Sequence, residues 1–338
     1  MMQIVRPFSC RCWPAGFALA VAALLLNLPR QARAGAIYWS EYDTGTIRRV
    51  NFDNTGRTTL LSGLSNPSKP SLDIGAGKIY WSNRGTGEIR RANLDGTDST
   101  TVLSGLTDNA APFLDLVHGQ MYWAEHAFSE GRIGTIRRAN LDGSDLTTLV
   151  TGQDQPRGVA VDVAGGKMYW MDYGGSNLLQ GDLRRANLDG SGAEVLLQRL
   201  AAPIGIALDL PDGKVYWTDY GGGEIRRANL DGTGPQTLLR FLNGPVGIDL
   251  DLVHGHMYWT NFGDEGMSNG EIRRANLDGT GQRGILSGLG GPVGISVYVP
   301  DPSSTLVLCL STLALLRRRR GMRGQGVRRT SDVLAEGR

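Results

Sequence analysis

Short apolar runs, each bounded by turn residues, follow one another along this chain. In the stretch 203–239 the runs are Pro203 to Asp209, Val215 to Asp219, Glu224 to Leu230 and a last one that ends at Leu239. Glycine, proline and Asp-Gly signals separate them, and short strands with such turns between them form an antiparallel meander. The pattern therefore predicts a unit of four strands, which we number one to four in chain order.

This unit occurs six times, and a Tyr-Trp pair marks strand two of every unit. The tryptophans are Trp39, Trp81, Trp123, Trp170, Trp217 and Trp259, and they lie 42, 42, 47, 47 and 42 residues apart. A repeat of this length with several turns per unit is typical of a β-propeller. We predict an all-β fold, a six-bladed β-propeller of four-stranded antiparallel blades over residues 35–299.

The first unit begins at Ala36 and has no strand one of its own. The missing segment is found at the other end of the repeats, where Gly291 to Tyr298 matches Gly244 to Asp251. We expect this C-terminal strand to join the N-terminal blade, because closure of the ring leaves no open sheet edge.

The repeated motif resembles that of the LDL-receptor class B, or YWTD-type, six-bladed propellers. The tetrapeptide Tyr-Trp-Thr-Asp itself occurs at 216–219, and the resemblance spans residues 36–299. It implies that the aromatic pairs pack within and between blades. Receptors of that family flank the propeller with cysteine-rich modules, whereas the cysteines here, Cys10, Cys12 and Cys309, all lie outside the repeats. The ligands of those receptors are therefore not carried over.

The N-terminus has the order of a secretory signal peptide. Arg6 and Arg11 precede an apolar run over residues 15–26, and Ala32-Arg33-Ala34 follows before Gly35. We expect cleavage between Ala34 and Gly35, so that residues 1–34 are removed on export. A membrane anchor is the alternative, but the run is shorter than the roughly 18 apolar residues that a span requires.

The C-terminus resembles the PEP-CTERM sorting signal of exported bacterial proteins. Its parts are Pro300-Asp301-Pro302, an apolar run over residues 305–316, and the basic cluster Arg317, Arg318, Arg319 and Arg320. The resemblance implies transient membrane association through residues 300–320 and an exosortase-like sorting protease as partner. An ordinary single-pass anchor is the alternative, and we expect the polar, basic tail 321–338 to be disordered. The predicted location is the cell envelope, the cell surface or the medium of a bacterium.

Charge argues against nucleic acid as a partner. The whole chain has a formal charge of +2, but residues 35–304 contain 23 lysines and arginines against 31 aspartates and glutamates, a net charge of −8. Nucleic-acid binding requires the opposite sign. The six Arg-Arg pairs, one in strand three of each unit, are interpreted as structural, with at least one arginine of each pair between blades and bonded to an acid or amide.

Catalytic motifs are absent from the sequence. There is no HExxH, no Ser-His-Asp order and no phosphate-binding glycine loop after a strand, so we predict no catalytic residue, no metal ligand and no cofactor. The aspartates at 73, 115, 162, 209 and 251 are interpreted as turn caps rather than as a ring of metal ligands, and the Asn-Leu-Asp-Gly segments as hairpin turns.

Variation among the repeats is concentrated in one loop. From the tryptophan to the first arginine of the Arg-Arg pair there are 9 residues in units one, two and five, but 14 in units three, four and six. Insertions at one repeat position emerge on one face of the ring. The candidate ligand-binding residues in these loops are His126, Phe128, Glu130, Arg132, Asn177, Leu178, Asp264, Glu265 and Met267. Tolerated, solvated insertions are the alternative interpretation.

The predicted function is a binding or scaffold module of the cell envelope, with a protein or an extracellular polysaccharide as partner. The alternative is a propeller enzyme, a hydrolase, lyase or lactonase, with a divalent cation at the channel mouth.

Overall fold

A computed structural model describes residues 35–126, 134–174 and 180–300 of the chain. Residues 35–299 form one compact unit, and it is a propeller of six four-stranded antiparallel sheets. The predicted fold class is therefore confirmed.

The strands are numbered in chain order. Blade one contains β1 (Ala36–Glu41), β2 (Thr46–Asn51), β3 (Thr58–Leu61) and β24 (Pro292–Tyr298). Blade two contains β4 (Ser71–Asp73), β5 (Lys78–Asn83), β6 (Glu88–Asn93) and β7 (Thr100–Leu103), and blade three β8 (Phe113–Asp115), β9 (Gln120–Glu125), β10 (Gly134–Asn140) and β11 (Thr147–Gln153). Blade four contains β12 (Pro156–Asp162), β13 (Lys167–Asp172), β14 (Gly181–Asn187) and β15 (Glu194–Leu200). Blade five contains β16 (Pro203–Asp209), β17 (Lys214–Asp219), β18 (Glu224–Asn229) and β19 (Gln236–Leu239), and blade six β20 (Pro245–Asp251), β21 (His256–Asn261), β22 (Gly270–Asn276) and β23 (Arg283–Leu289).

Ring closure occurs as the sequence predicts. The last strand, β24, pairs antiparallel with β1, so the first sheet has the order β24-β1-β2-β3. Ile37 lies opposite Val297 and Trp39 lies opposite Ile295 in this pairing. Both ends of the propeller sequence are thus held in one blade, and β1 is paired on both sides instead of forming a sheet edge.

The aromatic pairs form the core between neighbouring blades. All six repeated tryptophans are fully buried, and the tyrosine of one blade shares a core cluster with the tryptophan of the next. These pairs are Tyr258 with Trp39, Tyr38 with Trp81, Tyr122 with Trp170, Tyr169 with Trp217, and Tyr216 with Trp259. Because successive side chains of a strand face opposite ways, adjacent Tyr and Trp residues reach the two neighbouring interfaces.

The Arg-Arg pairs are structural, in agreement with the interpretation from sequence. The first arginine bonds the acid two residues after the tryptophan in four blades: Arg48 with Glu41 at 3.1 Å, Arg137 with Glu125 at 2.8 Å, Arg184 with Asp172 at 2.9 Å and Arg226 with Asp219 at 3.4 Å. The second arginine reaches the next blade, since Arg185 donates to the carbonyl of Leu230 and Arg227 to that of Leu277, both at 3.2 Å.

The aspartates that end strand one cap the following turn. Their Oδ1 atoms accept from backbone N–H groups two or three residues ahead, as in Asp115 with His118 at 3.0 Å and Asp251 with His254 at 2.9 Å. The Asn-Leu-Asp-Gly segments are hairpin turns, and their glycines adopt positive φ, for example 88° at Gly96. Both interpretations from sequence are confirmed by these contacts.

Inner strands approach one another closely around the channel, and glycine permits this approach. A Cβ atom on Gly205 would lie 2.3 Å from the carbonyl oxygen of Val246, and one on Gly247 would lie 2.8 Å from that of Val293. Both distances are below van der Waals contact, so a side chain here would force the inner strands of blades five, six and one apart.

Candidate functional site

One face of the ring carries the connections from strand two to strand three and from strand four to strand one. Both kinds of connection lie at the same end of a blade because successive strands of a meander run in opposite directions. We refer to this end as the channel-mouth face. The three long loops that the sequence singled out therefore begin and end at this face.

One residue of each blade occupies an equivalent place on this face. It is the residue three positions after the repeated tryptophan, at the end of strand two. In blades one to six this residue is Tyr42, Arg84, His126, Tyr173, Tyr220 and Phe262. In all six blades its backbone N–H donates to a carbonyl in the connection that precedes strand one of the same blade, at 2.8–3.3 Å. We call these six the rim residues.

The rim is divided into an aromatic and a polar part. Tyr173, Tyr220, Phe262 and Tyr42 belong to the consecutive blades four, five, six and one, and we call them the aromatic arc. The rings of Tyr42 and Phe262 meet edge to face with their centroids 6.3 Å apart. Tyr42 and Tyr220 are 40% and 37% exposed, so the arc presents aromatic surface to solvent.

A cavity of about 130 Å³ lies at the channel mouth, among the first residues of the inner strands. We call it the mouth cavity. One wall is apolar and comes from blades five, six and one, with Ile204, Ile206, Val246, Ile248 and Val293. The opposite wall comes from blades two, three and four and carries Lys69, Arg84, His126 and Arg157. The cavity is therefore polarised across its width.

The side chains of the polar wall contact one another. Nη1 of Arg157 lies 3.1 Å from Nδ1 of His126, and the guanidinium of Arg157 lies 4.9 Å from the ring centroid of Tyr173. Arg84 donates to the carboxylate of Asp108 at 2.8 Å. Stacking and hydrogen bonds of this kind restrict the rotamers of long side chains, so the positive groups are held at the wall.

Burial and charge set the protonation states of this wall. Burial, together with the positive charges of Arg157 and Arg84, lowers the pKa of His126 far below its ordinary value, so that the imidazole is neutral. Burial and the neighbouring Arg84 lower the pKa of Arg157 to about 10. Arg157 therefore keeps its charge at neutral pH.

The imidazole of His126 lies against the guanidinium of Arg157. Its two ring nitrogens are 3.1 Å (Nδ1) and 3.4 Å (Nε2) from Nη1 of Arg157, and the guanidinium can only donate to them.

Further along the channel an ion pair joins blades two and six. Lys69 Nζ lies 3.7 Å from Asp249 Oδ1, and the backbone N–H of Val297 donates to Asp249 Oδ2 at 2.8 Å. These residues line a second cavity of about 190 Å³. The pair therefore links the innermost segments of blades two and six.

The loop residues predicted from sequence are only partly described. His126 lies in the wall of the mouth cavity. Asp264 and Asn269 bond each other at both ends of a short turn, at 2.8 and 2.9 Å, while Glu265 is exposed and Met267 is 61% exposed. The candidates Phe128, Glu130, Arg132, Asn177 and Leu178 lie outside the described residues, and their role stays a prediction.

Sequence reasoning missed four residues of the channel: Lys69, Arg84, Arg157 and Asp249. A departure from the repeat marks three of them. Lys69 stands where four other inner strands have glycine, Arg157 stands where blades five, six and one have Ile or Val, and Asp249 stands where blades four and five have alanine. Alignment of the inner strands would have singled them out, since only departures from the repeat distinguish one blade from another.

At the start of the blade-four loop, burial raises the pKa of Asp172 to about 7, although the guanidinium of Arg184 lies 2.9 Å away.

Over residues 35–126, 134–174 and 180–300 no three His, Cys, Asp or Glu side chains are grouped as metal ligands. Within the same ranges no helix is long and apolar enough to cross a membrane. The predicted leader residue Ala34 and the sorting-signal residues Asp301, Pro302 and Arg317–Arg320 lie outside them.

Comparison with known proteins gives a fold but no family. No protein-family model matches the sequence, and no curated protein matches it. Among solved structures, a chain of the nidogen/laminin complex is similar over 79% of this chain and 99% of its own, with 19% identity and a TM-score of 0.65. TolB from Acinetobacter baumannii is similar over 84% of this chain and 71% of its own, with 14% identity and a TM-score of 0.61.

An enzyme is also among the similar structures. A gluconolactonase from Xanthomonas campestris is similar over 70% of this chain and 80% of its own, with 17% identity and a TM-score of 0.56. Likenesses at this level of identity establish the propeller fold, which hosts proteins of different function.

Proposed function

We propose that the protein is an exported binding module of the bacterial cell envelope that presents its channel-mouth face to an extracellular polysaccharide. The observation that carries the proposal is the aromatic arc beside a polarised cavity. Aromatic side chains offer flat apolar surface, and tyrosine adds a hydroxyl at its edge. This combination suits the alternating C–H and O–H surfaces of a sugar chain.

The distribution of exposed aromatic residues supports this choice of face. In the described part of the chain three aromatic residues are exposed, Tyr42 at 40%, Tyr220 at 37% and Phe241 at 97%, and all three lie on the channel-mouth face. Phe241, in the connection from β19 to β20, is 97% exposed. Aromatic side chains with one polar end, such as tyrosine, are enriched at binding interfaces.

The opposite face lacks this feature. Its exposed large apolar residues in the described ranges are aliphatic, such as Val117 at 78% and Leu252 at 41%, and most of them lie in the turns between strands one and two. Export is supported by the signal-peptide order of residues 1–34 and by the PEP-CTERM resemblance of residues 300–320. The nidogen/laminin complex and TolB, as propellers, are compatible with a binding role but do not identify a ligand.

Paired variants test the proposal. Tyr220→Ser with Phe241→Ser removes aromatic surface from the channel-mouth face. The control, Leu252→Ser with Val117→Ser, removes residues of similar exposure from the opposite face. On an array of bacterial extracellular polysaccharides we expect the first variant to lose at least tenfold in affinity and the control to match the wild type, with melting curves verifying both folds.

Equal binding by the two variants would refute the proposed surface. Retention of a protein instead of a polysaccharide, with the same dependence on Tyr220 and Phe241, would keep the surface and replace the ligand. The competing enzyme hypothesis rests on the likeness to the Xanthomonas gluconolactonase. Turnover of a panel of sugar lactones by the purified protein, with and without added Ca²⁺, would establish that hypothesis in place of the binding module.

A further inference from the structure

We propose that the mouth cavity is a carboxylate-binding subsite that takes one uronic-acid residue of an acidic polysaccharide. The inference rests on the proposed function and specifies its ligand class. It starts from the polarity of the cavity, whose positive wall faces an apolar wall across a space of about 130 Å³.

The charge of the lining favours an anion. Lys69, Arg84 and Arg157 all contribute to the wall, and none of the described lining residues is an aspartate or glutamate. The two nearby carboxylates do not line the cavity: Asp108 contacts Arg84, and Asp249, from blade six, pairs with Lys69 in the second cavity. A carboxylate in the cavity would face at least two positive groups in a site partly shielded from water, where charge-assisted hydrogen bonds are strongest.

Arg157 is the central group of this site. Its pKa of about 10 reflects burial and repulsion by Arg84, and an incoming anion offsets both effects. The ring of Tyr173 and Nδ1 of His126 orient its guanidinium. A planar guanidinium held in this way suits bidentate binding of a carboxylate.

The volume limits what enters. Pockets that enclose whole drug-sized ligands measure about 300–1,000 Å³, so a cavity of about 130 Å³ holds one residue or terminal group of a longer molecule. A uronic acid has a carboxylate at one edge and a C–H face on its ring. It matches the positive wall at one side and Ile204, Val246 and Val293 at the other, and the rest of the chain would lie on the aromatic arc.

Calorimetric titration of the full-length protein with three probes tests the inference. The first probe is trigalacturonate, the second is its fully methyl-esterified form, which keeps the sugar rings but not the charge, and the third is a hexaglutamate peptide. We expect trigalacturonate to bind at least tenfold more tightly than its ester. The peptide should bind more weakly than trigalacturonate because it offers no ring for the apolar wall.

Variants assign the effect to the cavity. Arg157→Met should weaken trigalacturonate binding about tenfold to a hundredfold, which is the range for loss of a hydrogen bond to a charged group. Arg157→Lys keeps the charge and should retain part of the affinity. Arg283→Met is the matched control, because Arg283 is exposed at the start of the outer strand β23, and it should leave the affinity unchanged. Melting curves report whether each variant is folded.

The outcomes separate this inference from the proposed function. Equal affinity for trigalacturonate and its ester, insensitive to Arg157→Met, would overturn the carboxylate subsite while polysaccharide binding stands. Binding of hexaglutamate alone, lost in Arg157→Met, would overturn the uronic acid in favour of an acidic protein. If neither these probes nor the polysaccharide array gives binding, the proposed function fails together with the subsite.

Discussion

The hydrogen-bonding of the buried tryptophans differs between blades, and this difference predicts unequal costs for one substitution. Trp259 and Trp217 are both fully buried. Nε1 of Trp259 donates to Oδ1 of Asn261 at 3.0 Å, whereas Nε1 of Trp217 has no acceptor among the described residues. Replacement of each by phenylalanine removes similar packing but different polar contacts.

The magnitude follows from the two environments. The packing loss is common to both variants, and we expect about 1–2 kcal/mol of it, because phenylalanine keeps one ring where full truncation costs about 3–5 kcal/mol. Trp259→Phe also removes the hydrogen-bond donor of the side-chain oxygen Oδ1 of Asn261, a residue that is only 4% exposed. The unsatisfied buried acceptor should cost a further 1–3 kcal/mol, roughly, in the free energy of unfolding. Trp217→Phe exchanges an unpaired N–H for C–H. We therefore expect Trp259→Phe to be the less stable variant by about 2 kcal/mol.

Urea unfolding followed by circular dichroism, with calorimetric melting as a second measurement, checks this expectation. A difference of about 2 kcal/mol corresponds to roughly 4–8 °C in Tm for a domain of this size. Trp123→Phe and Trp81→Phe give an independent pair, because Trp123 donates to Glu125 while Trp81 Nε1 has no acceptor in the described ranges. Equal destabilisation within both pairs would refute the reasoning.

Three further predictions concern a channel glycine, an interblade arginine and a turn aspartate. Gly205→Ala places a Cβ 2.3 Å from the carbonyl of Val246 and should cost about 1–3 kcal/mol, whereas Gly284→Ala meets nothing within 4 Å and should change urea unfolding little. Arg227→Met breaks contacts to Tyr216 and Leu277 and should cost about 1–3 kcal/mol; an unchanged Tm would contradict its interblade role. Hydrogen bonds from Thr233 lower the pKa of Asp231 below 3.8, so its contribution to stability is present above that pH and is lost as the pH falls further. Asp231→Asn should flatten acid unfolding below about pH 4, and an unchanged pH profile would reject that assignment.

The fold could be predicted from sequence because the same four-stranded unit is repeated six times. A single Tyr-Trp pair is ambiguous, but six pairs in register with Arg-Arg and Asp-Gly signals leave one architecture. Closure was predictable for the same reason, since the strand absent before Ala36 reappears as Pro292–Tyr298. The capping role of the aspartates followed from their position before a turn, and Asp251 with His254 is one example.

The site could be predicted only in part. Loop length led to His126, and that residue lies in the wall of the mouth cavity. Arg157 and Lys69 were not predicted because Arg157 lies within the inner strand β12 and Lys69 just before the inner strand β4, and a charged residue at such a position resembles an ordinary strand residue in the sequence. Their meeting depends on the curvature that brings blades two, three and four to one side of the channel, and spacing along the chain carries no information about that distance.

The symmetry of the ring explains why the candidate site lies where the blades differ. Tryptophan cores and interblade arginines are nearly the same in every blade, so they hold the ring together but cannot orient a ligand within it. The residues that differ between blades, in contrast, are divided between two parts of the ring. Arg84, His126 and Arg157 come from blades two to four, and the aromatic arc comes from blades four to one. A ligand that is acidic at one end and flat and apolar along its length matches this division in a single orientation. The differences between blades therefore define one orientation for a ligand, which the symmetric fold by itself would not do.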